Sequence, residues 1–127
     1  MKPHLLTFVL PALLLAACAA SDPGAAPARV ADGVWVGGNG MTLYVFDKDV
    51  AGSGRSACNG ACAANWPPLA AAADAPAGGD WTTIRRDDGS RQWAWRGRPL
   101  YFWSKDTQPG QRSGDGFNQV WHVARAG

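Results

Sequence analysis

The sequence predicts a small all-β domain of two related halves, sandwich-like or barrel-like, with one short helical turn around a pair of cysteines. Three observations predict it. From Val34 onward, short runs rich in β-branched and aromatic residues alternate with Gly, Asp and Pro turn signals. One run recurs, because Leu43-Tyr44-Val45-Phe46-Asp47-Lys48-Asp49 aligns with Leu100-Tyr101-Phe102-Trp103-Ser104-Lys105-Asp106 at an offset of 57 residues. Helix signals are confined to residues 57–64, with 69–73 as a second short candidate.

Taken in chain order, residues 1–17 read as a secretory signal, with Lys2 as the positive region and an apolar stretch over 5–17 interrupted by Pro11. That stretch falls short of the roughly 20 apolar residues a membrane-spanning helix needs. The cleavage region Leu15-Ala16-Ala17-Cys18 resembles the lipobox of bacterial lipoproteins, which implies cleavage before Cys18 and its acylation. Each buried methylene contributes about 0.8 kcal/mol, so a diacylglyceryl group with an N-acyl chain would hold a soluble domain on the membrane. Ala19, in place of Asp, is similar to the outer-membrane sorting pattern if the host has two membranes. The expected address is thus the bacterial cell envelope, outside the cytoplasm, with the membrane as a partner through the lipid.

Residues 18–31 are mostly Ala, Pro, Gly, Ser and Asp and read as an acylated Cys followed by a flexible tether. The folded domain is expected over 32–127. Val34-Trp35-Val36 and residues 41–46 read as strands, the second ending in a polar turn over 47–54. Residues 81–86 and 91–96 form a hairpin signal around Asp87-Asp88-Gly89-Ser90, since Asp-Gly supplies the positive φ of a tight turn. Arg96-Gly97-Arg98-Pro99 makes the next turn, followed by strands over 100–103 and 120–124. The repeats span about 41–69 and 98–124, each closing on a Trp, Trp66 and Trp121. Two copies imply a pseudo-twofold domain rather than a propeller or solenoid.

The repeated residues carry a resemblance. Tyr44, Phe46 and Asp49, then Tyr101, Trp103 and Asp106, fit a Tyr-x-aromatic-x-x-Asp pattern, and Cys58-Asn59-Gly60-Ala61-Cys62-Ala63, Trp66-Pro67-Pro68-Leu69 and Gly116-Phe117-Asn118 leading to Trp121 accompany it. In these features the chain resembles the secreted-repeat lipoproteins of unknown function. The resemblance covers nearly the whole folded part and implies no particular activity.

Composition narrows the function classes. Without Lys2 the chain keeps eleven Lys plus Arg against ten Asp, which argues against an electrostatic nucleic-acid binder. Glu is absent, His122 is the one histidine beyond the signal segment, and no Gly-x-Ser-x-Gly elbow occurs, so no catalytic residues are assigned and the protein is expected not to be an enzyme. No cofactor is expected. Cys58 and Cys62 form an even, closely spaced pair, which in an oxidising compartment reads as a disulfide. Four residues of ideal helix separate Cα atoms by about 6.2 Å, so a bent turn through Asn59-Gly60 suits the bridge better.

The alternative is that reduced Cys58 and Cys62, with His122, bind copper or exchange electrons, since soft thiolates select that metal. The surrounding positions supply few further ligands: Trp66 stands where a binuclear copper site would carry His, and Ala63 where a haem motif would. A calcium loop at Asp47-Lys48-Asp49 lacks its later acidic ligands, Ala51 and Cys58 occupying those places. Asp49 and Asp106 are instead expected to close turns by accepting backbone N–H bonds. The six motif residues are therefore read as structural.

Between residues 34 and 123 there are eleven Val, Leu, Ile and Met but twelve aromatics, so most rings must be inside. One exposed ring pair, with Trp93 and Trp95 on one strand face and Tyr101 and Trp103 on one face of the next, would suit a sugar or peptide. Arg85, Arg86, Arg91, Arg96 and Arg98 concentrate on the hairpin and read as a solvated face covering rings and pairing with Asp87 or Asp88. Their functional reading is contact with an anionic surface such as lipid headgroups or envelope polymer. A binding or scaffolding module with an envelope polymer or protein partner is the function the sequence favours.

Overall fold

Each half of the molecule begins with a hairpin. In the computed structural model, which describes residues 26–127 together with Pro3 and Thr7, β1 (Arg29–Ala31) pairs with β2 (Val34–Val36) around Asp32-Gly33. Both turn residues have positive φ, 49° and 77°, as a two-residue turn matched to strand twist requires. Paired structure therefore starts at Arg29, ahead of Asp32, where the sequence reading opens the domain. The expected signal segment, Cys18 with its expected lipid, and the part of the expected tether up to residue 25 lie outside the described residues. The second hairpin is β5 (Trp81–Arg85) with β6 (Arg91–Trp95), in the register Thr83↔Trp93.

The tyrosine segments follow. β3 (Tyr44–Phe46) pairs antiparallel with β8 (Trp121–Val123), setting Tyr44 against Val123 and Phe46 against Trp121. The other half repeats this arrangement imperfectly. Tyr101 bridges Pro68, Phe102 N–H donates to the Pro67 carbonyl at 2.7 Å, and Ser104 N–H donates to Asn65 O at 2.9 Å, as Asp47 N–H does to Val120 O at 2.8 Å. Pro67 and Pro68 have no N–H to return, so the ladder is broken at its centre and the expected strand over 100–103 survives as a bridge. Between the halves, Tyr44 and Tyr101 exchange both backbone bonds, at 2.8 and 3.0 Å.

The same triangle of backbone bonds ties each hairpin to its half. Trp35 N–H donates to Ala124 O, Ala124 N–H to Leu43 O and Leu43 N–H to Trp35 O, all at 2.8–2.9 Å. In the other half Trp93 N–H donates to Leu69 O, Leu69 N–H to Leu100 O and Leu100 N–H to Trp93 O, at 2.9–3.1 Å. These bonds draw residues 69–73 out of their expected helical turn. Ala70–Ala71 instead forms β4 on the edge of β6, tertiary pairing overriding the helix preference of alanine. β7 (Arg98–Pro99) also pairs with β6, and α1 (Ala61–Asn65) is the short helix beside the cysteines. The fold is all-β apart from such turns, and among the described residues its sheets do not close into a barrel.

Period-two alternation then sorts the side chains into two layers. Tyr44, Phe46, Tyr101 and Trp103 enter one cluster with Trp66 and Trp121, whereas Leu43 and Leu100 enter the other with Leu69, Ala28 and Ala124. The first layer is a four-ring stack. Phe46 lies on Trp121 at 4.2 Å, Trp121 on Trp66 at 3.8 Å with planes 3° apart, and Trp66 on Trp103 at 4.0 Å. The pseudo-twofold relation thus exchanges the two central indoles. Each such pair contributes about 0.5–1.5 kcal/mol beyond its buried area.

Candidate functional site

The motif residues of the two repeats meet crosswise. Tyr44 donates its hydroxyl to Asp106 Oδ2 at 2.7 Å, and Tyr101 donates to Asp49 Oδ2 at 2.6 Å, so each tyrosine fastens the aspartate of the other repeat. The second carboxylate oxygen closes a loop: Asp49 Oδ1 accepts Ala57 N–H at 2.6 Å, and Asp106 Oδ1 accepts Ser113 N–H at 3.0 Å. Gly114 N–H donates to the Tyr44 hydroxyl at 3.2 Å. A Cβ at Gly114 would lie 2.7 Å from the Trp66 ring, so only glycine passes between phenol and stack.

Both tyrosines are fully buried, and burial, then the hydrogen bond to the facing aspartate, pushes their phenols far above the ordinary range. They remain protonated donors. Burial also pushes the Asp49 carboxyl up, although the Ala57 amide, the Tyr101 hydroxyl, Arg86 and Arg98 pull it down.

A buried cation completes the Asp49 side. Arg86, 5% exposed, donates to Ser56 Oγ at 3.0 Å and Gln92 Oε1 at 2.7 Å, and also to the Cys58 carbonyl. Gln92 Nε2 passes the chain on to Leu100 O at 2.7 Å. Ser56 Oγ accepts from Arg86 and from Cys58 N–H, and lies 2.7 Å from the Tyr101 oxygen. Because the Tyr101 proton is given to Asp49, that last bond is donated by Ser56. Arg86 is therefore no member of a solvated face paired with Asp87 or Asp88. Its inward place is readable from alternation, Arg86 following the buried Ile84 by two residues and Gln92 pairing with Ile84 across the hairpin.

Cys58 and Cys62 are joined, with sulfurs 2.11 Å and Cα atoms 5.2 Å apart, the turn made possible by Gly60 at φ 57°. His122 is not brought into a ligand set with them; its Nε2 lies 2.8 Å from Asp47 Oδ2, with both side chains about half exposed. Among the described residues no three His, Cys, Asp or Glu side chains gather as a metal site would require.

One open feature that combines apolar and charged groups is a cleft of about 400 Å³. Val45, Trp95, Val123 and Ala124 form its apolar wall, and Arg98, His122 and Arg125 its polar part. Gly97 fixes the turn before Arg98: its carbonyl accepts Gly52 N–H at 2.9 Å, and a Cβ there would stand 2.6 Å from that nitrogen. Arg96 lies over the Trp95 ring at 4.5 Å and reaches Asp80 at 3.2 Å, whereas neither Arg98 nor Arg125 forms an ion pair among the described residues. Trp93 and Trp95, expected on one strand face, are both half-buried against the leucine layer. Sequence reasoning assigned Arg98 and His122 separately and missed Arg125 and Val45, because the cleft's residues come from four segments that share no local pattern.

A family model described as a secreted repeat of unknown function matches residues 28–70 and again 82–125. Each match takes in a hairpin, a tyrosine segment, an aspartate loop and a closing tryptophan. No curated protein and no solved structure matches the chain.

Proposed function

We propose, for a chain that belongs to the family of secreted repeats of unknown function and so works outside the cytoplasm, that its β domain is a non-catalytic module that binds or scaffolds an envelope component. One observation carries this reading. The buried polar side chains Tyr44, Asp106, Tyr101, Asp49, Ser56, Arg86 and Gln92 are engaged with one another or with the backbone, while Arg98 and Arg125 stand uncommitted beside Trp95 in an open cleft. Groups already occupied in holding the fold are poorly placed to turn over a substrate; uncommitted guanidiniums beside an aromatic wall suit recognition.

The test is co-sedimentation of mature protein carrying Cys18→Ser with washed, insoluble envelope polymer. Salt-sensitive retention is expected, and absence of retention at low salt would overturn the reading. The same substitution in the full-length chain tests the anchor, since it should leave the membrane fraction; persistence there after salt and carbonate washing would overturn lipid attachment at Cys18. A copper or thiol redox role would require opening the Cys58–Cys62 bond. Thiol titration is expected to find both cysteines oxidised, and quantitative free thiols with one equivalent of bound copper would favour that alternative.

A further inference from the structure

We propose that the cleft between β8 and the β6–β7 turn is the seat for an acidic saccharide, with a carboxylate or phosphate met by Arg98 and Arg125 and the ring packed along Trp95 and Val45. This deepens the binding reading above and rests on it.

Four features carry the assignment. The first is uncommitted charge. Of the guanidiniums near the hairpin, Arg86 is buried in the polar network and Arg96 is held by Asp80 and Trp95; Arg98, which acts on Asp49 only through space, and Arg125 form no ion pair among the described residues and both line one concavity. Two guanidiniums lining one cleft suit an oxyanion, which accepts bidentate N–H pairs. The second is rigid placement. Arg98 stands opposite Trp95 in the β6–β7 register, and Arg125 bridges Val34, so main-chain pairing holds both backbones. A preorganised site loses little freedom on binding.

The third is the wall. Trp95 is set edge-on to Trp35 at 5.4 Å and covered by Arg96, which fixes its ring, while Val45 and Val123 extend the apolar surface. The C–H face of a pyranose matches such a wall, and its hydroxyls find polar partners at His122 and Asp47, already joined at 2.8 Å on the rim. Asp47 is the carboxylate tied directly into this rim, and it is occupied by His122 rather than by either arginine. The fourth is size and shape. A concavity of about 400 Å³ lies at the small end of ligand pockets, about 300–1,000 Å³, and suits one or two sugar units. A flat bilayer surface cannot enter it, which favours a saccharide over lipid headgroups as the source of the anion.

The experiment is calorimetric titration of mature Cys18→Ser protein with a digalacturonate, a neutral disaccharide of equal length, inorganic phosphate, and vesicles containing one-third anionic phospholipid. Binding to the digalacturonate is expected, weakening with salt, with none to the neutral sugar. Arg98→Gln and Arg125→Gln should each reduce affinity about tenfold. Arg85→Gln, an exposed charge on the far strand of the hairpin, should leave it unchanged. All three arginines are exposed, so these variants should fold as the parent does, which their melting curves check. No digalacturonate binding, equal binding of the neutral sugar, phosphate binding as tight as the digalacturonate, or vesicle binding that the two variants abolish would each overturn the proposal. If envelope polymer still retains the double variant, this site falls while the binding reading stands. If polymer never retains the parent protein, the reading itself falls.

Discussion

The loops that follow the two tyrosine segments do the same work by different means. Residues 47–65 and 104–120 each leave a strand, turn back under an aspartate, and deliver a tryptophan to the centre of the ring stack. The first carries the local Cys58–Cys62 bridge and α1, and receives Arg86 from the hairpin through Ser56 and the Cys58 carbonyl. The second has no such bridge. Asp115 Oδ1 accepts Val123 N–H at 3.0 Å, Phe117 leans on Trp66 and Trp103 while 40% exposed, and Asn118 and Gln119 sit at φ 50° and 63°. What the loops share is the Tyr–Asp bond and the tryptophan, so those define the fold. What differs shows where stability is concentrated and where strain is tolerated.

The largest break in this comparison should come from Arg86→Ala, which takes the charged donor from the buried Gln92 Oε1, the Cys58 carbonyl and Ser56 Oγ. A loss of about 3–5 kcal/mol is expected in urea denaturation, since each buried acceptor left short of a donor costs about 1–3 kcal/mol. The next is a pH effect. Both phenols are raised in the folded state, so the stability they confer is full below the unfolded tyrosine value near 10 and falls as pH rises above it toward the folded values. Two such groups give a slope of up to about 2.7 kcal/mol per pH unit. Denaturation series from pH 9 to 11 should show it, and Tyr44→Phe or Tyr101→Phe should each remove about half.

Opening the first loop is expected to cost less. The Cys58→Ala, Cys62→Ala pair should lower stability by about 2 kcal/mol, the chain-entropy value for so short a loop, and leave the second half's amide protection intact in hydrogen exchange. The smallest effect belongs to the open loop. Gln119→Gly should stabilise by about 0.5–1 kcal/mol, the cost of a left-handed backbone that glycine avoids exceeding the freedom it adds to the unfolded chain. An unchanged or lower melting temperature would mean Gln119 makes a contact that compensates for its backbone.

Much of this architecture was legible from local pattern. Alternation placed Tyr44 and Phe46 on one face and Leu43 on the other, the Asp87–Ser90 turn marked its hairpin, and the offset of 57 residues announced the second half. The crosswise bonding was not legible, because spacing alone serves Tyr44 to Asp49 within one repeat as well as Tyr44 to Asp106 between repeats. The choice is made by the antiparallel meeting of Tyr44 and Tyr101, a contact between segments far apart in sequence. The early hairpin at Asp32-Gly33 was hidden by the alanine- and proline-rich stretch before it. Arg125 and Val45 belong to the cleft only through the β3–β8 pairing and the bridge to Val34.

The molecule divides into a motif that holds it together and a cleft proposed to meet its ligand. The most direct test of this division is the melting of Asp49→Ala and Asp106→Ala, each with and without millimolar calcium and with and without digalacturonate. Each variant is predicted to lose about 1–3 kcal/mol, since each leaves a buried phenol and a backbone N–H without an acceptor, and the loss should be the same with every addition. An aspartate variant that kept the parent melting temperature but lost calcium- or ligand-dependent stabilisation would contradict this, and would make the Tyr–Asp motif the binding site.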